Sequence, residues 1–168
     1  EKVIEKIKEF EPKHLVITGG EPLIQQNDIA SLLSKLGDDY FVEVETDCTI
    51  IPNSAMLEHV NHWNVSPKTS NSGNSREARE IPQCYDFFAK LENSVFKFVI
   101  ENESDLVEID ELITKYSIAK NKILLMPQAS TKDELNLKKE EIEKIAKAKG
   151  LLFSSRLQVE RWGNQRGK

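Results

Sequence analysis

Carboxylates, a lysine and small hydroxyl residues fall directly after short apolar runs in this chain, where a strand would deliver them to one edge of a sheet. The first instance is HLVITGGEPLIQ, His14 to Gln25. Leu15, Val16 and Ile17 read as a fully buried strand, and Thr18, Gly19, Gly20, Glu21 and Pro22 follow it. Glycines at a strand end let a ligand approach the backbone closely, and Glu21 adds a charged acceptor beside them. The same letters also describe a plain strand, glycine turn and helix with no ligand. In YFVEVETDCTI, Glu43 and Glu45 share one face of a strand because side chains alternate. Two carboxylates on a buried strand are costly unless paired; the other reading is a partly solvated face. HWNVSPK closes a third strand with Ser66, Pro67 and Lys68. KILLMPQA closes another with Pro127 and Gln128. Carboxylates, carbonyls and hydroxyls of this kind accept hydrogen bonds from ammonium groups and diols.

The elements that must position these residues alternate along the chain. Val3, Ile4, Ile7 and Phe10 recur at helical spacing, in a helix stopped near Pro12. A second helix, starting near Asn27 or Asp28 as caps, buries Ile29, Leu32, Leu33 and Leu36 and ends at Gly37. Helical segments are also expected over Ala55–Val60, Cys84–Leu91, Ser104–Tyr116 and Leu137–Lys149, the last capped at Gly150. Val95–Ile100 reads as a strand whose apolar run is interrupted by Lys97. Residues 69 to 80, TSNSGNSREARE, read as a mobile polar segment, either a ligand-covering lid or a plain surface loop. Alternation of this kind gives an α/β fold with a mostly parallel sheet and right-handed crossovers. All strand C-terminal ends then share one rim. That rim gathers Thr18–Glu21, Glu45–Thr46, Ser66–Lys68 and Pro127–Gln128, and it is the expected binding site.

The 168 residues suffice for one domain, 1–168, with 39% hydrophobic and 30% charged residues. A net charge of −5 argues against nonspecific nucleic-acid binding. No apolar run reaches membrane-spanning length, and the charged amphipathic opening EKVIEKIKEF is unlike a signal peptide. Cys48 and Cys84 are the two cysteines and belong to no CxxC cluster, which suggests a reduced, cytoplasmic setting and no disulfide. The chain opens at Glu1, without a methionine and within a helix pattern, so a protein whose first part is missing is expected.

With the rim segments assembled, the chain resembles radical S-adenosylmethionine (SAM) enzymes, and within them the 7-carboxy-7-deazaguanine synthase family. ITGGEPLIQ matches the superfamily's SAM-binding segment. VEVETDCTI, NVSPKTSNSG, ILLMPQA and RLQVERWGNQRGK are similar to the narrower family, from about His14 to the end. The resemblance implies a partial (β/α) barrel of radical SAM type with its N-terminal cluster-binding portion absent. It implies that Gly19, Gly20, Glu21, Ser66, Pro67, Lys68, Pro127 and Gln128 contact SAM. Glu45 would lie near the ribose or substrate, and Thr18 would face the pterin. In the basic tail, Arg161 or Arg166 would be a fork-shaped donor for the substrate carboxylate.

The implied reaction is ring contraction of 6-carboxy-5,6,7,8-tetrahydropterin with ammonia loss, feeding queuosine or archaeosine synthesis. The implied cofactors are S-adenosyl-L-methionine, a 4Fe–4S cluster and magnesium (Mg2+). The implied partners are a flavodoxin-like or ferredoxin-like electron donor and a second copy in a homodimer, with no nucleic acid and no membrane. The family's CxxxCxxC segment and its adjoining magnesium-binding threonine have no counterpart here, and Cys48 stands where a glycine is usual. The cluster cysteines and the magnesium ligand are therefore expected upstream of Glu1. No metal ligand is assigned in this chain, and the piece alone is expected to be inactive. Two other functions stay open: a different radical SAM enzyme such as a glycyl-radical activase, or a non-catalytic SAM- or nucleoside-binding remnant. An activase would carry an aspartate near Glu45–Thr46 and lack the SPK segment.

Overall fold

Six apolar runs become six parallel strands, hydrogen-bonded side by side in the order in which the chain makes them. The computed structural model describes residues 1–101, 103–163 and 165. The strands are β1 (His14–Ile17), β2 (Phe41–Thr46), β3 (His62–Val65), β4 (Ser94–Ile100), β5 (Ile123–Pro127) and β6 (Leu152–Phe153). Helix α1 (Lys2–Lys8) precedes them, and α2 (Gln26–Leu36) and α3 (Ser54–His59) make the first two crossovers. Next come α4 (Arg76–Arg79), α5 (Pro82–Lys90), α6 (Glu103–Lys115), α7 (Lys132–Lys149) and, after β6, α8 (Leu157–Trp162). When each strand is laid at the same advancing edge by crossovers of one hand, the crossover helices collect on one face. The other face is then an inner wall, as in a (β/α) barrel that has not closed. The expected partial barrel with a parallel sheet is what the chain forms.

Alternation along the strands separates the two faces. Val42, Val44, Trp63, Val65, Phe96, Phe98 and Leu125 are buried in one core with Leu33, Met56, Phe88, Leu112, Ile142 and Ala146 of the helices. Their neighbours Glu43, Glu45, Asn64 and Lys97 face the inner wall and are only partly buried. This corrects the reading of β1 as fully buried. It is the edge strand, and Val16, on the inner wall, is 47% exposed.

Several boundaries also differ from expectation for local reasons. Helix α2 is not capped by Asn27 or Asp28. A short 3₁₀ helix, Pro22–Gln25, leads into it, and the Glu21 carboxylate caps that turn by accepting from the Leu23 N–H. Helix α7 starts at Lys132, five residues before Leu137, because Thr131 and Glu134 form a reciprocal capping box. Helix α6 begins at Glu103, so Ser104 lies inside it rather than at its cap. Gly150 ends α7 in the left-handed region, as expected of a C-terminal glycine. Among the described residues no helix is long and apolar enough to cross a membrane.

Candidate functional site

The turn after β1 is built for backbone exposure. Gly19 and Gly20 have φ of +96° and +52°, and nothing lies within 4 Å of where a Cβ would sit on either. Consecutive positive φ values favour glycine, which explains the residue type here. Glu21 is turned inward from this loop. One of its oxygens accepts from Leu23 N at 2.9 Å; the other accepts from Asp47 N at 2.7 Å and from the Thr46 hydroxyl at 2.9 Å. Burial and the nearby Asp47 side chain push its carboxyl above the usual 4.5, against the opposing effect of the two N–H donors and the hydroxyl. Glu21 thus ties the glycine turn to the turn after β2, where Cys48 is buried at φ +71°. A non-glycine residue there carries backbone strain, which locates the departure noticed in the sequence.

The inner wall carries two polar constellations, one above the other. Lower down, Glu43 accepts from Asn64 Nδ2 and lies 3.0 Å from His14 Nε2. Above it, Glu45 accepts from Thr18 Oγ1 at 2.8 Å and from Lys97 Nζ at 2.6 Å. The expectation that these carboxylates need partners is met. Burial raises the Glu45 carboxyl, but Lys97 and then Thr18 outweigh it and hold it below 4.5.

A cavity of about 100 Å³ opens at this level, lined by Thr18, Gly20, Glu45, Thr46, Asp47, Ser66, Lys68 and Lys97. Complete small-molecule sites occupy roughly 300–1,000 Å³, so this cavity is smaller than a whole one. Five residues picked from sequence meet here: Thr18, Gly20, Glu45, Ser66 and Lys68. Thr46, already expected on the rim, joins them, as do Lys97 and Asp47, which belonged to none of the rim segments. The only sequence signal for Lys97 was one charge inside an apolar strand. Gly19 and Glu21 shape the turn without lining the cavity, and Pro67 and Pro127 are buried. Gln128 donates its backbone N–H to Ile100 O at 2.7 Å and is not among the lining residues. Arg161 is exposed on α8, its guanidinium 5.9 Å from the Trp162 ring, and does not line the cavity either. Arg166 lies outside the described residues. The cation tied to the rim from this region is Arg156, which donates to Ala129 O at 2.9 Å.

Residues 69–80 are organised rather than irregular. Ser70–Ser72 form a 3₁₀ turn and Arg76–Arg79 form α4. Arg79, 7% exposed, pairs with Glu108 of α6 and donates to the carbonyls of Asn74 and Lys68. Ser70 N donates to Glu108 at 2.8 Å, and Asn71 reaches Asp105 at 2.9 Å. The segment braces the backbone of Lys68 against α6, and it holds a 3₁₀ turn and a short helix where an irregular loop was expected.

Larger depressions, of about 510 and 600 Å³, lie on the outer helical layer. The first is lined chiefly by Ile51, Phe87 and Leu91. The second is lined by charged residues that already pair elsewhere, such as Lys115 with Glu80 and Asp110 with Lys149. Neither is lined by any residue of the four rim segments. Cys48 and Cys84 are free and buried, and burial raises both thiols, that of Cys84 to about 11. A cluster needs several exposed, deprotonated thiolates converging on it, and this pair does not fit one. Among the described residues no group of three or more His, Cys, Asp and Glu could hold a metal ion. Glu1, ahead of which the cluster cysteines and the magnesium ligand are expected, is an exposed residue at the N-terminal cap of α1. It is not a lining residue of the cavity, and among the described residues it belongs to no group of three or more possible metal ligands.

A half-open parallel barrel with a polar pocket at the C-terminal ends of its strands defines the class: an α/β protein with a polar cavity at its rim. Comparison with known proteins narrows this. The chain is 36% identical over 159 residues to a 7-carboxy-7-deazaguanine synthase of Pyrobaculum aerophilum, covering 92% of this chain and 68% of that protein. It is 31% identical to that of Hyperthermus butylicus, covering 95% and 69%, and 30% identical to that of Rhodopirellula baltica, covering 92% and 63%. The chain belongs to the 7-carboxy-7-deazaguanine synthase family. It spans about two thirds of the length of these curated relatives. No family model matches it.

Proposed function

We propose that this chain supplies the SAM- and substrate-facing wall of a 7-carboxy-7-deazaguanine synthase. Such an enzyme converts 6-carboxy-5,6,7,8-tetrahydropterin to 7-carboxy-7-deazaguanine with loss of ammonia. The observation that supports this is the convergence of Thr18, Gly20, Glu45, Ser66 and Lys68 on one pocket from three separate strands. The donor set suits SAM. Exposed backbone at Gly19–Gly20 receives the ammonium end, while Glu45 and Ser66 offer acceptors to the ribose diol. When bound, SAM supplies the 5′-deoxyadenosyl group through which hydrogen is removed from the substrate. This chain's residues bind and orient: Glu45 and Lys97 fix polar groups at the inner wall, and Thr18 faces the pterin. Cys48 and Cys84 do not fit the cluster, so no step through it is assigned to this chain. A cytoplasmic setting, a homodimer, magnesium and a flavodoxin-like or ferredoxin-like reductant belong to the same proposal. The glycyl-radical activase reading loses ground, because the three relatives above all carry the synthase name.

The misfit of the two thiols also favours a second reading, in which the chain binds SAM or a nucleoside without turning it over. Two measurements test these readings. Calorimetric titration of SAM into the purified chain is expected to saturate; absence of saturable binding overturns the first reading, and absence of saturable binding of adenosine as well overturns the second. Reconstitution with iron and sulfide is expected to give no iron–sulfur absorption from this chain alone. A chromophore that survives desalting would overturn the exclusion of its cysteines.

A further inference from the structure

Lys97 was singled out by no motif, yet the geometry gives it a task. It projects from the middle of β4 onto the inner wall, where its side chain is 16% exposed, and lies 2.6 Å from Glu45 Oε1. The other oxygen of Glu45 is held by the Thr18 hydroxyl at 2.8 Å. Glu45 is therefore gripped from both sides, by β4 and by the β1 turn, while its side chain stays 34% exposed toward the pocket. The charged and titratable groups facing it are Lys97 from β4, Lys68 from the turn after β3, and Asp47 from the turn after β2. Glu43 stands two residues earlier on the same face, engaged with His14 and Asn64. A carboxylate on the inner wall without a cation would turn toward solvent or take up a proton. Either change would replace an acceptor in the pocket with a donor or an empty position.

We infer that Lys97 is a positioning residue that holds the Glu45 carboxylate in one orientation, so that the pocket presents a fixed anionic acceptor to a ligand's hydroxyl or N–H donors. The ligand class follows: a group bearing paired donors, such as a vicinal diol or the N–H edge of a heterocycle, rather than an anion. The lowered titration range of Glu45 agrees with this geometry. The inference rests on the proposed ligand site for its consequence in binding, but the state of Glu45 can be read without any ligand.

The test uses the whole chain with carbon-13-labelled glutamate side-chain carboxyls, assigned through Glu45→Gln. In the parent, the Glu45 carboxyl is expected to titrate below 4.5. In Lys97→Met it is expected to rise by about a unit or more, and Lys97→Arg is expected to restore it. In parallel, SAM is titrated into each protein at pH 7. Lys97→Met is expected to weaken binding at least tenfold, with Lys97→Arg recovering most of it. An unmoved Glu45 titration in a folded Lys97→Met protein overturns the inference, whatever SAM does. If the Met variant does not fold, Lys97→Gln and Thr18→Val are read in its place: the former should move Glu45 more than the latter, and the reverse order overturns the inference. Absence of SAM binding to the parent, with the Glu45 shift intact, overturns the proposed ligand and leaves the role of Lys97 standing.

Discussion

At the scale of single residues, Gly20 combines a backbone at φ +52° with open space where a side chain would grow. Gly20→Ala is expected to cost roughly 1–2 kcal/mol of stability, from the left-handed conformation alone, since no protein atom stands in the way. Because Gly20 also lines the pocket, the same change should weaken SAM binding by more than tenfold. Thermal unfolding and calorimetry on one preparation measure both, and unchanged affinity would move the ligand away from this turn. The glycines themselves were legible in the sequence, as was the need of Glu43 and Glu45 for partners. Which partners they take was not. Thr18 and Lys97 stand 27 and 52 residues from Glu45, and only sheet register brings them together. Glu21 was visible as a carboxylate at a strand end, but its inward turn depends on the Thr46 and Asp47 donors of another element.

At the scale of elements, the segment 69–80 shows how composition misleads. Asn, Ser and Gly predict an irregular loop, whereas the decisive residues are Arg79 and Glu80, both buried. Beyond the local Arg76–Glu80 pair, their partners Glu108, Lys115 and Tyr116 lie on or next to α6, out of reach of any local pattern. Amide exchange at Ser70, Ser72, Gly73 and Glu80, each a hydrogen-bond donor, is therefore expected to be slow in the unliganded protein. Exchange at the rate of free peptide would restore the mobile reading. Arg79→Met is expected to cost about 3–5 kcal/mol, because it leaves Glu108 as a half-buried charge without its cation. The T-x-x-E capping box that opens α7 stood in the sequence unread, so the helix was expected five residues late, whereas the periodic apolar positions of α2 and α6 were read. The inner wall stayed undecided between a buried and a partly solvated face, since a strand's period says which residues share a face but not what covers that face.

At the scale of the whole molecule, acid should unfold this protein through a few carboxylates. Burial pushes the Glu80 carboxyl up, but Lys115, Tyr116 and Arg76 outweigh it and bring it down to about 2. A carboxyl held below its unfolded value of 4.5 stabilises the fold above that pH, and the stabilisation is lost as pH falls toward 2. The shift is worth on the order of 3 kcal/mol. Glu21 runs the other way: its raised value favours the protonated form in the fold, so it contributes less as pH rises through its range. Urea midpoints measured between about pH 6 and pH 2.5 should fall most steeply below the ordinary carboxyl range. In Glu80→Gln that slope should flatten; an unchanged slope would place the acid sensitivity elsewhere. The sequential strand order has a further consequence for how the chain comes to be folded. Every strand pairs with its predecessor, across separations running from 19 residues (Glu43 to His62) to 31 (Trp63 to Ser94). No pairing waits for a distant partner, so the entropy of loop closure is met in similar instalments along the chain. A sheet wound in this way can grow from its first strand as the polypeptide is synthesised, each unit docking on a finished edge before the next one appears.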